Sequence, residues 1–190
     1  MSEVFPRPDL KTVKRFDRPG PRYTSYPTAV EFHEGVGKTT YLERLAQADA
    51  AGAQAPLSLY AHLPFCEHRC LFCGCHVVIT PHMPVAEKYL RYVMVEIDRV
   101  AALLPNRRRV AQMQWGGGTP TYFSPDQLSD LMGKYREHFD FVPGAEIALE
   151  VDPRVTSQEH LDRLGALGFN RLSMGVQDLT PEVQEAITRG

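Results

Sequence analysis

The chain has 190 residues, 43% hydrophobic and 23% charged, with a net charge of −2, an ordinary composition for a soluble globular protein. That balance supplies no general basic field for nucleic acid or anionic lipid. No apolar run approaches the ~18 residues of a membrane span, and residues 1–16 lack the apolar core of a secretory signal. The setting this implies is cytoplasmic and reducing, where cysteines are free thiols or metal ligands and not disulfides.

In chain order, residues 1–55 read as an N-terminal arm and one helix. The stretch "RPGPRYTSYPTA" (18–29) is extended rather than helical. A helix is expected over 39–51, with Leu42, Leu45 and Ala46 on one face. "GVGKTT" (35–40) imitates the end of a phosphate-binding loop, but Phe32 stands where the motif needs glycine and no strand precedes it, which excludes an ATPase reading.

Residues 56–190 repeat one unit of strand, loop and helix. "LSLYAHL" (57–63) is a strand, followed by the cysteine loop and a helix over 84–104 whose face is Leu90, Val93, Ile97, Val100 and Leu104. Arg107, Arg108 and Arg109 form the one dense basic patch, read as a solvated entry to the strand "VAQMQW" (110–115), which ends in Gly116, Gly117 and Gly118. Ser124, Pro125 and Gln127 announce a helix start with a capping box. After the strand "EIALEV" (146–151), Thr156 and Glu159 suggest a second capping box, and that helix stops at Gly168. "NRLSMGV" (170–176) is a fourth strand, and Thr180-Pro181 opens another helix.

This alternation predicts an α/β fold, a partial parallel (β/α) barrel of roughly four βα units behind an extended arm. Such a barrel usually takes ~200 residues or more, so a truncated chain with an open edge strand is expected. Ligands of parallel sheets sit at the carboxyl ends of the strands. The cysteines, the glycine triplet, Glu150 and Gln177 all fall there.

Cys66, Cys70, Cys73 and Cys75 are all the cysteines in the chain. Zinc sites usually split their ligands into two separated pairs, and here no second pair exists. Ligands from one short loop suit an iron–sulfur cube better, and three thiolates leave its fourth iron open. Cys75 points away if the chain stays extended beyond Cys73. His62, His68, His76 and His82 lack helical ligand spacing and read as supporting or surface residues.

The Cys-x3-Cys-x2-Cys spacing, with Phe72 before the third cysteine, resembles the cluster motif of radical S-adenosylmethionine enzymes. "GPRYTSYPTA", "YAHLPFCEHRCLFCGCH", "WGGGTPTY", "EVDPR" and "FNRLSMGVQD" further resemble the oxygen-independent coproporphyrinogen III oxidase family. That resemblance implies a [4Fe–4S] cluster on Cys66, Cys70 and Cys73 and two molecules of S-adenosylmethionine. Tyr60, Gly117 and Glu150 match contacts to the first; Phe72, Gly118, Thr119, Gln177 and Arg189 match contacts to the second. The segment from Gly116 to Thr119 would bring backbone amides to the methionine moiety. The implied reaction is oxidative decarboxylation of two propionates of coproporphyrinogen III to vinyls, giving protoporphyrinogen IX. It draws on an unidentified electron donor, with no nucleic acid and no membrane span. Catalytic residues are not assigned. Arg22 of the arm is either a propionate partner or solvated. The rival readings are a haem-binding, chaperone-like cluster protein, a structural zinc protein, and an inactive piece of the oxidase; Cys75 and the arm favour the oxidase over the chaperone.

Overall fold

The computed structural model describes residues 9–17, 31–52 and 54–189. The arm at 18–29, with Arg22, lies outside the described residues. Residues 1–38 and 39–190 form two compact units. The first contains helix α1 (Leu10–Phe16), whose N-cap Asp9 accepts a hydrogen bond from the Thr12 amide at 2.7 Å.

The second unit carries helix α2 (Lys38–Ala50) into strand β1 (Leu57–Leu63), then the short strands β2 (Phe65–Cys66) and β3 (Val78–Ile79). Helix α3 (Met83–Ala102) leads to β4 (Arg109–Gly117), a single 3-10 turn at Pro120–Tyr122 and α4 (Pro125–His138). Strand β5 (Asp140–Val151), α5 (Gln158–Ala166), β6 (Arg171–Met174) and α6 (Pro181–Ala186) complete it. The main sheet has the order β1-β4-β5-β6 and every pairing is parallel, as the strand–helix alternation predicts.

Side chains alternate across these strands. Leu63, Met113, Trp115, Ile147, Leu149 and Val151 pack on one face against Leu90, Val93 and Ile97 of α3, Leu128, Leu131, Met132 and Tyr135 of α4, and Leu164 of α5. The opposite face carries Tyr60, His62, Gln114 and Glu150, the positions between the core residues. One face is therefore a hydrophobic floor and the other a polar surface that leads into the loops at the strand ends. All of β6 is exposed, with Leu172 and Met174 at 46% and 52%, so the sheet ends on an open edge. Among the described residues, no helix is long and apolar enough to cross a membrane.

Three local expectations are corrected. The box before α5 is Ser157 with His160, not Thr156 with Glu159. Thr156 turns instead to the Thr121 hydroxyl at 2.8 Å and the Asp152 carbonyl at 2.7 Å. Strand β5 starts at Asp140 rather than 146, passing a register shift opposite Val110–Gln112 and a left-handed Gly144. Arg107 is not solvated: its guanidinium donates to the carbonyls of Ala55 (2.6 Å), Ala48 (3.3 Å) and Pro56 (3.0 Å). Beside it, the buried Asp49 carboxylate accepts from the Asn106 amide and side chain. Together they fix the segment that feeds β1.

Candidate functional site

The cysteine loop, residues 67–77, is closed at its base by the parallel pair β2–β3. The Cys66 carbonyl accepts from the Thr80 amide at 3.0 Å, and Pro64 from Val78 at 2.8 Å. Beneath the base, the Phe65 ring lies 5.4–5.8 Å from the rings of Tyr89, Tyr122 and Phe123. Such buried aromatic packing holds the loop's first cysteine at a defined height above the sheet.

The glycine triplet forms the adjoining wall, and each glycine answers to a different neighbour. A Cβ on Gly116 would stand 2.8 Å from the Glu150 carboxyl group. Gly117 has φ +118 and faces the His62 ring, 2.7 Å from where its Cβ would be. At Gly118 a Cβ would meet the Pro64 and Phe65 backbone at 2.6–2.7 Å. The amides of this segment are already spent. Gly117 donates to Glu150 Oε2 (3.1 Å), Gly118 to the Leu63 carbonyl (2.9 Å) and Thr119 to the Phe65 carbonyl (2.9 Å). Within the protein these three amides bond to Glu150 and to the loop base, so the segment shapes the wall as well.

At the carboxyl ends of β1, β4 and β5 a cavity of about 850 Å³ opens. Cys66, Cys70 and Cys73 line it together with Phe72, Gly117, Gly118, Thr119, Glu150, Gln177 and Arg189. Of the residues matched to S-adenosylmethionine contacts, Tyr60 alone is not on this wall. It sits on the polar face of β1, 59% exposed, and its hydroxyl meets His62 Nδ1 at 3.0 Å. Cys75 does not point away as expected. The loop curls rather than running extended, and the Cys75 side chain lines the same cavity. Gln177 holds φ +70, a left-handed backbone unusual for its type and found where a site constrains the chain.

Burial pushes the Cys66 thiol up; a Thr119 hydroxyl contact at 3.4 Å opposes the rise, and the neighbouring Cys73 and Cys70 add to it. Burial and the adjacent Cys73 likewise raise Cys75. The Cys66 thiol therefore keeps its proton at neutral pH until a metal displaces it. His62 was read only as a supporting residue, and it is the hub of β1 and the loop. Its Nε2 contacts the His76 carbonyl at 3.0 Å, so Nε2 carries the proton and Nδ1 accepts from Tyr60. The Tyr89 hydroxyl donates to the His62 carbonyl at 2.7 Å. The period of two linking Tyr60 and His62 on one strand face was the available signal.

Asp152 and Arg154 belong to "EVDPR", where the sequence alone signals no role for them. Arg154 grips both Asp152 carboxylate oxygens, at 2.6–3.3 Å, and directs Nη2 to Cys70 Sγ at 3.2 Å. Burial raises the Asp152 carboxyl, but hydrogen bonds and charge from Arg154, with Arg189, outweigh it and bring the group below the usual carboxylate range. No local pattern reveals a contact between residues 84 apart. A second cluster, Asp98, Glu137 and His138, is filled by the Lys134 ammonium, 2.6 Å from Asp98 and 2.9 Å from Glu137, so it is an ion-pair network.

Three thiols in and beside one short loop, next to an acid in a cavity of this size, fit a cluster with one open coordination position. The cavity has the size of small-molecule sites, about 300–1,000 Å³.

The Radical SAM superfamily profile matches residues 60–190, and the chain belongs to that superfamily. Membership implies a [4Fe–4S] cluster and S-adenosylmethionine as cofactors. The chain is similar to the oxygen-independent coproporphyrinogen III oxidase of Escherichia coli K12, with 49% identity over 95% of the chain and 38% of the relative. The enzyme of the same name from Pseudomonas aeruginosa is 44% identical over 95% of the chain and 39% of the relative. A solved structure of E. coli coproporphyrinogen III oxidase, titled a radical SAM enzyme, superposes with a TM-score of 0.82 at 46% identity, covering 96% of this chain and 39% of that one. The chain thus spans about two fifths of the length of the curated relatives it matches.

Proposed function

We propose that Cys66, Cys70 and Cys73 hold a [4Fe–4S] cluster whose open iron binds S-adenosylmethionine, in the service of coproporphyrinogen III decarboxylation. The observation that carries this reading is the convergence of the three thiols with Glu150 and the glycine wall in one cavity at the strand ends. Held by Cys66, Cys70 and Cys73, a cluster would supply the electron for reductive cleavage of S-adenosylmethionine and so the hydrogen-abstracting chemistry.

The chain's own residues bind and orient. Glu150 keeps one carboxylate oxygen on the Gly117 amide and offers the other to a ribose hydroxyl. Gly117 and Gly118 let the His62 ring and the Pro64–Phe65 backbone pack closely behind the wall on which the methionine moiety would lie. Because Tyr60 donates its proton to His62, its oxygen is left to accept a hydrogen bond from a ligand. Phe72, Thr119, Gln177 and Arg189 share the cavity, which supports their assignment to a second S-adenosylmethionine. The reaction supported by the likeness to the oxidases converts each of two propionates to a vinyl group. One hydrogen leaves the β-carbon, one carbon dioxide is released, and one electron passes to an acceptor.

Anaerobic reconstitution with iron and sulfide, reduction, and EPR with and without S-adenosylmethionine tests the site. The expected result is a reduced [4Fe–4S] signal that changes on adding the ligand. A chain that takes up zinc and builds no cluster overturns the reading. Vinyl formation from coproporphyrinogen III tests the reaction separately.

A further inference from the structure

We propose that Arg154 is a positioning residue that sets the reduction potential of the cluster through the sulfur of Cys70. This rests on the reading that Cys70 is a cluster ligand. Arg154 is held on three sides. Its Nε and Nη2 lie on the Asp152 carboxylate, its backbone amide donates to the same carboxylate at 3.0 Å, and Nη1 donates to the Thr188 carbonyl at 3.0 Å. With the guanidinium plane fixed this way, Nη2 has one direction left, and it meets Cys70 Sγ at 3.2 Å. The Asp152 side chain is 12% exposed, so water competes little for the fork.

A second cation stands behind the first. Arg189 Nη1 is 3.6 Å from Cys70 Sγ and its Nη2 3.8 Å from Asp152 Oδ2. Around one sulfur there are thus two guanidinium groups and one carboxylate, a net positive charge. Cys66 receives only a neutral hydroxyl from Thr119. A cluster gains one negative charge on reduction, and N–H donors and positive charge at its sulfurs stabilise the reduced form. The bond to Cys70 therefore makes the cluster easier to reduce. Asp152 serves by aiming the donor, since a lysine in the same place would be a mobile point charge without the fork.

The test compares the wild-type chain, Arg154→Gln and Arg154→Lys after anaerobic reconstitution, at matched iron and sulfide content. The midpoint potential is read by redox titration followed by EPR. Arg154→Gln is expected to lower the one-electron reduction equilibrium by about tenfold, a shift of about 59 mV to more negative potential. Arg154→Lys moves the same way by less. Potentials that coincide with wild type at equal cluster content overturn the proposal and leave the cluster reading standing. If Arg154→Gln takes up no cluster, the lysine variant decides: a more negative potential supports the proposal and an unchanged one overturns it. Loss of the cluster from both variants overturns it too, because Arg154 would then serve only to fold the loop. A wild-type chain that builds no cluster fails the underlying reading instead.

Discussion

Gly118→Ala tests the contact between the glycine wall and the base of the cysteine loop. The added Cβ would lie 2.6–2.7 Å from Pro64 and Phe65 backbone atoms, and backbone cannot swing aside as a side-chain end can. Relief requires the end of β4 to move away from the β1–β2 junction. That strains the Gly118–Leu63 and Thr119–Phe65 hydrogen bonds, both 2.9 Å. Overpacking costs ~1–3 kcal/mol, and each of the two weakened backbone bonds adds up to about 1 kcal/mol, so ~1–5 kcal/mol is expected. At roughly 2–4 °C per kcal/mol for a domain of this size, the thermal midpoint falls by at least ~2 °C. Gly133→Ala is the control, because Gly133 lies within α4 and a Cβ there meets nothing within 4 Å. It is expected to stabilise by about 0.5–1 kcal/mol through helix propensity alone. Thermal denaturation followed by circular dichroism, with iron uptake measured in parallel, reads both. A Gly118→Ala chain that melts within ~1 °C of wild type and takes up iron normally would refute the steric argument.

Two further outcomes follow from the core. Trp115 is fully buried, edge-on to Phe169 at 4.9 Å, and its indole N–H has no partner among the described residues, so Trp115→Ala is expected to cost ~3–5 kcal/mol and Trp115→Phe less than that, read by urea unfolding. Tyr135, 6% exposed, has its phenol pushed well above the ordinary value of 10.0 by burial, then by the charges of Glu96 and Tyr89. Above pH ~10 the unfolded chain therefore loses a proton that the folded chain keeps. Stability falls as pH rises from there toward the higher folded value, and Tyr135→Phe flattens that alkaline limb in unfolding measured from pH 8 to 11.

The sheet was legible because its strands carry their own signal. Each is a short apolar run closed by turn residues, with a helical period between, and parallel order follows from crossovers long enough to hold a helix. What was not legible depends on choices that sequence neighbours leave open. On paper Thr156-x-x-Glu159 is the capping-box pattern, and His160 is not the Glu or Gln that would pair with Ser157. The structure departs from the pattern because Thr121, 35 residues away, takes the Thr156 hydroxyl, and the His160 ring reaches Ser157 instead. The strand is expected only over 146–151, yet a register shift lets it begin at Asp140 and pass through Pro143 and Gly144. Arg107 reads as solvent-facing because nothing nearby opposes it; its three carbonyl partners come from the segment before β1.

The glycine triplet shows why a site can be found from sequence for a reason that is only partly right. Three consecutive glycines exceed what a strand-to-helix turn requires, and a ligand was one explanation of the excess. The structure supplies another: the Glu150 carboxyl, the His62 ring and the Pro64–Phe65 backbone each occupy the space that one Cβ would fill. Two of those neighbours, Glu150 and His62, are polar side chains on the ligand-facing side of the sheet, and the third is the backbone that leads into Cys66. The glycines are thus required first by the protein's own site residues. A ligand bound here would meet a wall whose Gly117, Gly118 and Thr119 amides are committed within the protein, leaving shape and the second oxygen of Glu150 to contact it. Substituting Glu150 should therefore weaken S-adenosylmethionine binding without unseating the cluster, whereas substituting Gly118 should disturb the loop that holds Cys66 as well.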